Sequence, residues 1–355
     1  MGNSCYLVLE NGNIYKGKSF GARRETLAEI VFTTGMTGYL ETLTDKSYLG
    51  QAVVQTFPLI GNYGVIPEDF ESKSVGPSAY IVKQWCRNPS NFRSEGDLDT
   101  FLKDRDIPGI YGIDTRGLTK TIREHGVMNG VITRDPSGVD MDTLYAYKVK
   151  NAVERAGVKE AYTEEAENGK LNVVLMDFGL KNNIKRALLR RGCNITVVPG
   201  NATAEEILAM GCDGIMLSNG PGDPADNIEI IENLKKLKES RVPIFGICLG
   251  HQLLALANGC RTKKLHYGHR GANQPARDLS TGRVYITSQN HGYAVVSESI
   301  TGSGKESFIN VNDGSCEGIE YVDFPGFSVQ FHPEASGEPQ DTSFLFDRFI
   351  SMMEV

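Results

Sequence analysis

Four short, almost uninterrupted apolar runs, Val173–Met176, Ile195–Val198, Ile215–Leu217 and Val242–Ile247, alternate with stretches of helical spacing. This alternation constrains the fold more than any other feature of the chain. A strand that is apolar at successive positions is buried on both faces, so the pattern predicts a mainly parallel central sheet covered by helices. The helices are expected over Asn183–Leu189, after the capping box of Thr203 and Glu206, and around Ile228, Ile231, Leu234 and Leu237. Ligands on such sheets gather at the carboxyl ends of the strands. After Cys260 the pattern turns β-rich, with a hairpin signal at Asp313-Gly314, and a helix is expected over Thr342–Met353.

The 355 residues suffice for two domains. Between Lys148 and Lys170 the chain becomes strongly charged and loses its apolar period, which reads as a linker or an exposed helix. The expected division is therefore a mixed α/β domain over 1–150, a linker over 151–170 and an α/β domain over 171–355. The first domain opens on a predicted hairpin, with strands over Tyr6–Glu10 and Asn13–Phe20 joined by a two-residue Asn11-Gly12 turn. That hairpin disposes of a decoy. Residues 12–19 match the phosphate-loop spacing G-x-x-x-x-G-K-S, but the mechanism needs a helix N-terminus after the loop, and Phe20-Gly21 opens none.

A net charge of −7 argues against nucleic acid as a partner, because phosphate backbones call for a concentrated surplus of Lys and Arg. No window approaches ~18 consecutive apolar residues, so no membrane span is expected. The N-terminal segment lacks a basic export signal, and Tyr6 stands where a myristoylation signal carries Ser or Thr after Gly2; a cytoplasmic protein is expected. Seven scattered cysteines without a C-x-x-C pair disfavour both a disulfide framework and a structural zinc site, and no metal is assigned to this chain.

One cysteine has a setting that suggests chemistry. Cys248 lies between Gly246 and Gly250, after the predicted strand and before a predicted helix. The glycines are expected to permit the sharp turn of a nucleophile elbow, with sulfur in place of the usual hydroxyl. An ordinary thiol, with a pKa of ~8.5, is only about 3% thiolate at pH 7. A helix N-terminus contributes about 0.3 to 1 kcal/mol towards the anion, so a basic neighbour is needed as well. Of six histidines, His332 fits, since it follows the strand Phe327–Phe331. Pro333 favours extended backbone at His332, which would put His332 and Glu334 on one side and let the acid orient the imidazole. His251, three residues after Cys248, is expected to point away from the sulfur and either to support the site from behind or to be structural. The Leu249 amide and the loop Ser218-Asn219-Gly220-Pro221-Gly222-Asp223-Pro224 are candidates for an oxyanion hole.

The run Phe245-Gly-Ile-Cys248-Leu-Gly-His-Gln252, the Ser218–Pro224 loop and Phe331-His332-Pro333-Glu334 together resemble the class I, or triad, glutamine amidotransferase domain over 171–355. The N-terminal half, through Met36-Thr-Gly-Tyr39, Leu43-Thr-Asp-Lys-Ser-Tyr48, Gly61-Asn-Tyr-Gly64, Ile113-Asp-Thr-Arg116 and Asn129-Gly130, resembles the carbamoyl phosphate synthetase small-subunit family. This resemblance implies Cys248 as nucleophile, His332 as base and Glu334 as its partner. For L-glutamine it implies Ser47, Gly220, Gly222, Leu249, Gln252, Asn290, Gly292 and Tyr293, with Lys181 as a further family position. Where the family often has Phe, this chain has Tyr293, whose extra hydroxyl matters only if the ring is what touches the ligand.

The resemblance further implies hydrolysis of glutamine through a glutamyl thioester. Ammonia would pass to a large subunit that uses bicarbonate and ATP, with Mg²⁺, to make carbamoyl phosphate for arginine or pyrimidine synthesis, the two chains forming a heterodimer or a higher oligomer. No cofactor is expected in this chain. The rival readings are the glutaminase component of another amidotransferase, a stand-alone cysteine hydrolase of γ-glutamyl compounds, and an inert scaffold.

Overall fold

The opening hairpin pairs β1 (Ser4–Leu9) with β2 (Ile14–Gly21), Val8 lying opposite Ile14. Its connection is one residue longer than the sequence suggests: Leu9 N donates to Asn13 O and Gly12 N to Leu9 O, both at 2.9 Å. Gly12 takes φ +84° as the third loop residue, the left-handed position that follows a type I turn in such hairpins. The phosphate-loop spelling of residues 12–19 is thus the end of a strand turn and six of the eight residues of β2, with no helix following.

The computed structural model describes residues 4–302, 304–335 and 339–354, so Gly2 lies outside the described residues. The chain divides into two compact units, Met1–Lys150 and Asn151–Val355. In the first, β1 and β2 join β3 (Thr26–Thr33), β4 (Gln51–Gln55), β6 (Ala79–Val82), β8 (Pro108–Tyr111) and β9 (Met128–Thr133) in a closed barrel ordered β1-β2-β8-β6-β4-β3-β9. The contacts among β3, β4, β6 and β8 are parallel, and β9, β1 and β2 close the ring with antiparallel pairs. A small ribbon of β5 (Leu59–Ile60) and β7 (Gln84–Trp85) lies outside the ring. Val31, Val53 and Tyr80 pack with Leu40, Leu98 and Phe101 in one apolar cluster. Closure removes the exposed strand edges that an open sheet of this size would carry.

The second unit is built on a ten-stranded sheet of β10 (Tyr162–Glu164), β11 (Leu171–Asp177), β12 (Cys193–Pro199), β13 (Gly214–Leu217), β14 (Ile244–Ile247), β15 (Thr262–Asp278), β16 (Val284–Val295), β17 (Gly304–Asn310), β18 (Cys316–Tyr321) and β19 (Gly326–Val329). Five strands, in the order β12-β11-β13-β14-β19, are parallel, and the antiparallel β18, β17, β15 and β16 extend the sheet beyond β19. Side chains alternate between the faces. Val174, Met176, Ile215, Leu217 and Ile244 join one cluster, while Val173, Leu175, Met216, Phe245 and Ile247 join the other.

The segment 151–170, read as a linker, belongs to this second unit. It holds a short helix, Ala152–Ala156, with Ala152, Val153 and Ala156 buried, and the edge strand β10 paired to β12. Three small apolar groups at helical spacing suffice to seat it despite the surrounding charge. The capping box of Thr203 and Glu206 is formed as the spacing predicts, and the last helix runs Phe344–Met353. No helix among the described residues is long and apolar enough to cross a membrane.

Candidate active site

Neighbouring parallel strands end side by side, and each hands a different group to the same edge of the sheet. Asp177, Leu217, Ile247 and Val329 are the last residues of β11, β13, β14 and β19. After them come Lys181, the Ser218–Gly222 loop, Cys248, and His332 with Glu334. This is where a parallel sheet offers a crevice for ligand.

Cys248 is the N-cap of the helix Leu249–Ala257, with φ 54° and ψ −102°. A left-handed backbone at a non-glycine residue costs roughly 1–3 kcal/mol and persists only where its surroundings enforce it. The sequence reading gave the turn to the flanking glycines, but the strain sits on the cysteine itself. The glycines are needed for close packing. A Cβ on Gly246 would come within 2.8 Å of Gly250 O, and one on Gly250 within 2.5 Å of Leu217 O. Main-chain bonds from Cys248 N to Val329 O and from Gly250 N to Ser218 O bind the bend to both neighbouring strand ends. The Leu249 amide, at the first helical position, has no acceptor within its own helix.

His332 and Glu334 are both buried, and Nδ1 of the ring lies 2.7 Å from Glu334 Oε1. They meet across a turn, Ala335 N donating to His332 O at 3.4 Å, and not along an extended chain as the proline had suggested. With Nδ1 engaged, Nε2 is buried without a hydrogen-bond partner among the described residues, and Cys248 is among the groups whose field acts on the ring. Burial and Lys181 work against a proton on this ring, Glu334 and Cys248 work for it, and the balance pushes His332 up to about 10. Burial opposes charge on Glu334 too, but His332 and Lys181 outweigh it and hold the carboxyl below its ordinary range. The Lys181 ammonium is 3.9 Å from Glu334 Oε1 and largely buried, where an ordinary helix-start lysine would be solvated.

The other residues singled out from the sequence make contacts within their own units. The Cys248 thiol donates to Asn290 O at 3.6 Å. Gln252 Nε2 donates to Tyr293 O at 2.8 Å and to Gln330 Oε1 at 2.9 Å. The contact of Tyr293 with Gln252 is thus made by its backbone carbonyl. A Cβ on Gly220 would meet Phe178 O at 2.4 Å and Leu249 Cδ2 at 2.8 Å, so the loop must be bare of side chain to lie against the elbow. Gly222 (φ +93°) faces Ala152, and Gly292 faces Arg270. Asn219 joins two strand-end loops, accepting from Lys181 N and donating to Gly179 O. Ser47 belongs to the N-terminal unit, buried in the turn Lys46–Tyr48, where its amide donates to Asp45 Oδ1.

Sequence reasoning missed the row that fastens the elbow helix. Ser328, Gln330 and His332 alternate with the apolar Phe327, Val329 and Phe331. Ser328 Oγ meets His251 Nδ1 at 2.8 Å, Gln330 Oε1 accepts from Gln252 Nε2 at 2.9 Å, and His332 has Cys248 as an electrostatic neighbour. The period-two polarity was the available signal. His251 is fully buried and its pKa is driven down to about 3 by that burial, so it is a neutral structural residue, as its position in the helix suggested.

Family comparisons agree with both units. A model of the class-I glutamine amidotransferases matches residues 174–352, and one of the carbamoyl-phosphate synthase small chain, CPSase domain, matches residues 7–132. The carbamoyl phosphate synthase small chain of Bacillus cereus is 50% identical over 351 residues, 98% of this chain and 95% of that one. The protein of the same name from Bacillus caldolyticus is 49% identical over 355 residues, covering 98% and 96%, and that from Listeria monocytogenes 48% over 349 residues, again 98% and 96%. With half its residues identical over nearly the whole length, the chain belongs to the carbamoyl-phosphate synthase small-chain family and carries a class-I glutamine amidotransferase domain in its C-terminal half.

Proposed function

We propose that this chain is the glutamine-hydrolysing subunit of a carbamoyl phosphate synthase and works through Cys248, His332 and Glu334. The observation that supports this reading is a strained cysteine at a helix N-terminus beside a buried histidine whose other nitrogen is held by a carboxylate. A raised His332 keeps its proton at neutral pH, which places an acid beside the sulfur; the attacking species in this reading is the Cys248 thiolate. The thiolate adds to the side-chain amide carbon of glutamine, and the oxyanion is received by the Leu249 amide and the bare backbone at Gly220. His332 gives its Nε2 proton to the departing nitrogen, ammonia leaves, and a glutamyl thioester remains. The imidazole then takes a proton from water, hydroxide adds to the thioester carbon, and glutamate departs as the sulfur regains its negative charge.

Glu334 acts through His332, fixing the tautomer and stabilising the imidazolium. In this reading Ser47, Gly222, Gln252, Asn290, Gly292, Tyr293 and Lys181 hold the substrate or the groups that do. Free ammonia at neutral pH becomes ammonium, which is not nucleophilic, so it must travel by a protected route. Its acceptor is made on a large-chain partner from bicarbonate and ATP with Mg²⁺, giving carbamoyl phosphate for arginine or pyrimidine synthesis. All seven cysteines are unpaired, which suits a reducing, cytoplasmic setting.

The test is Cys248→Ser in the assembled complex. Glutamine-dependent synthesis should vanish while synthesis from supplied ammonia persists. Loss of both activities in a correctly assembled complex would count against the assignment.

A further inference from the structure

Beside the catalytic strand lies a cluster that the glutaminase reading does not use. His269 on β15 and His291 on β16 are register partners, and Glu317 projects from β18 to meet them. One ligand atom from each of the three lies within 4.8 Å of the others. The residues are 22 and 26 positions apart, a spacing that no metal-ligand motif matches, so no local pattern points to them.

Each of the three is held from behind by a polar partner. His269 Nε2 is 2.9 Å from Asp313 Oδ2, which leaves Nδ1 facing Glu317 Oε1 at 3.6 Å. The His291 Nδ1–H donates to Tyr293 O at 2.7 Å, which leaves the lone pair of a neutral ring at Nε2; the protein atom it meets there is Gln289 Oε1 at 3.1 Å, itself an acceptor. Glu317 Oε1 accepts from Asn310 Nδ2 at 2.9 Å. Two buried atoms of the cluster, His269 Nδ1 and Glu317 Oε2, have no hydrogen-bond partner among the described residues. Metal-binding histidines are oriented in this way, the far nitrogen tied to a carboxylate or a carbonyl; at His269 an entering ion would take the place of the proton that Nδ1 shares with Glu317.

We propose that His269 Nδ1, His291 Nε2 and the Glu317 carboxylate form a site for one divalent transition-metal ion of the zinc type. Two imidazoles and one carboxylate suit zinc, with water in the fourth position. Metal–ligand bonds of about 2.0–2.2 Å put tetrahedral ligands about 3.3–3.5 Å apart, so the widest pair must close by roughly 1 to 1.5 Å, within reach of side-chain rotation. The carboxylates of Asp313 and Glu317 offset the positive charge brought in, and His269, 12% exposed, gives the ion a path from solvent. Binding there would clamp β16 one residue from Asn290 and Gly292. The proposal does not depend on the glutaminase reading.

Equilibrium dialysis of the full chain against Zn²⁺ tests it, in a Cys248→Ser background so that the active-site thiol takes no part, and with Co²⁺ as a spectroscopic probe. One ion per chain is expected, with a cobalt spectrum of tetrahedral nitrogen and oxygen ligation and no sulfur charge-transfer band. Glu317→Gln and His269→Asn should each weaken binding at least tenfold, and Asp313→Asn, which only orients His269, by about 10- to 100-fold. A folded chain that takes up no stoichiometric ion overturns the site, whatever the variants do. Binding that Glu317→Gln and His269→Asn leave unchanged, or a cobalt spectrum of thiolate ligation, overturns it as well.

Discussion

His332 Nδ1 and Glu334 Oε1 stand 2.7 Å apart with no solvent at either side chain. In a buried setting such a pair keeps its charges only because each supports the other, and removing one partner leaves the second exposed to the full cost of desolvation. Glu334→Gln keeps shape but withdraws the negative charge. Glutamine hydrolysis should fall by about 10²-fold or more, the range in which assisted proton transfer operates. Because the carboxylate raises the affinity of His332 for its proton, the alkaline limb of kcat/KM should also move to lower pH. Glutamate release measured across pH checks both, and an unmoved limb would separate Glu334 from His332.

Lys181 acts on the same ring with the opposite sign. Its ammonium disfavours the proton on His332 while favouring the Glu334 carboxylate, 3.9 Å away. Lys181→Met should therefore shift the alkaline limb to higher pH, opposite to Glu334→Gln. Parallel pH–rate profiles of the two variants decide the matter; shifts in the same direction would contradict this electrostatic account.

Much of the candidate site is legible in the sequence. Cys248 between two glycines, and His332 with Glu334 after an apolar strand, were visible because each motif is local and its chemistry is stated by residue type. The glycines' true role was not visible: a Cβ clash of Gly250 with Leu217 O joins positions brought together only when β13 and β14 pair. Barrel closure in the N-terminal unit was hidden for the same reason, since β2 pairs with β8 across most of that unit. The anchoring of residues 178–180 was missed too. Asp177 Oδ1 accepts from the amides of Gly179 and Leu180, and Oδ2 from that of Val158. An aspartate after a strand looks the same whether it is solvated or holds three amides.

The clash at Gly250 carries its own prediction. Gly250→Ala needs no change of backbone region, yet its methyl would overlap Leu217 O and Leu217 Cβ, at 2.5 and 2.7 Å. Overpacking of this kind costs about 1–3 kcal/mol, and relief requires the elbow helix to move off the sheet. A lowered thermal midpoint together with reduced glutaminase activity is expected. A variant that melts and turns over like the parent would show that the helix is not wedged there.

Stability against acid should report His251. Its pKa in the folded chain, about 3, is depressed below the ordinary 6.5, so the unfolded chain binds the extra proton first. The contribution is complete above pH 6.5 and is lost as pH falls from there towards 3, at up to about 1.4 kcal/mol per pH unit. His251→Asn removes this titration. Denaturant midpoints between pH 6.5 and 4 should fall less steeply in the variant than in the parent, and equal slopes would mean that the buried ring takes up its proton without penalty.

The proposed chemistry turns on acylation of Cys248 by glutamine. Rapid acid quenching of the assembled enzyme during turnover, followed by intact and peptide-level mass spectrometry, measures this directly. One added glutamyl group is expected, confined to the peptide that holds Cys248, sensitive to hydroxylamine and absent from Cys248→Ser. Turnover at full rate with that peptide unmodified, or acylation at another residue, would contradict it.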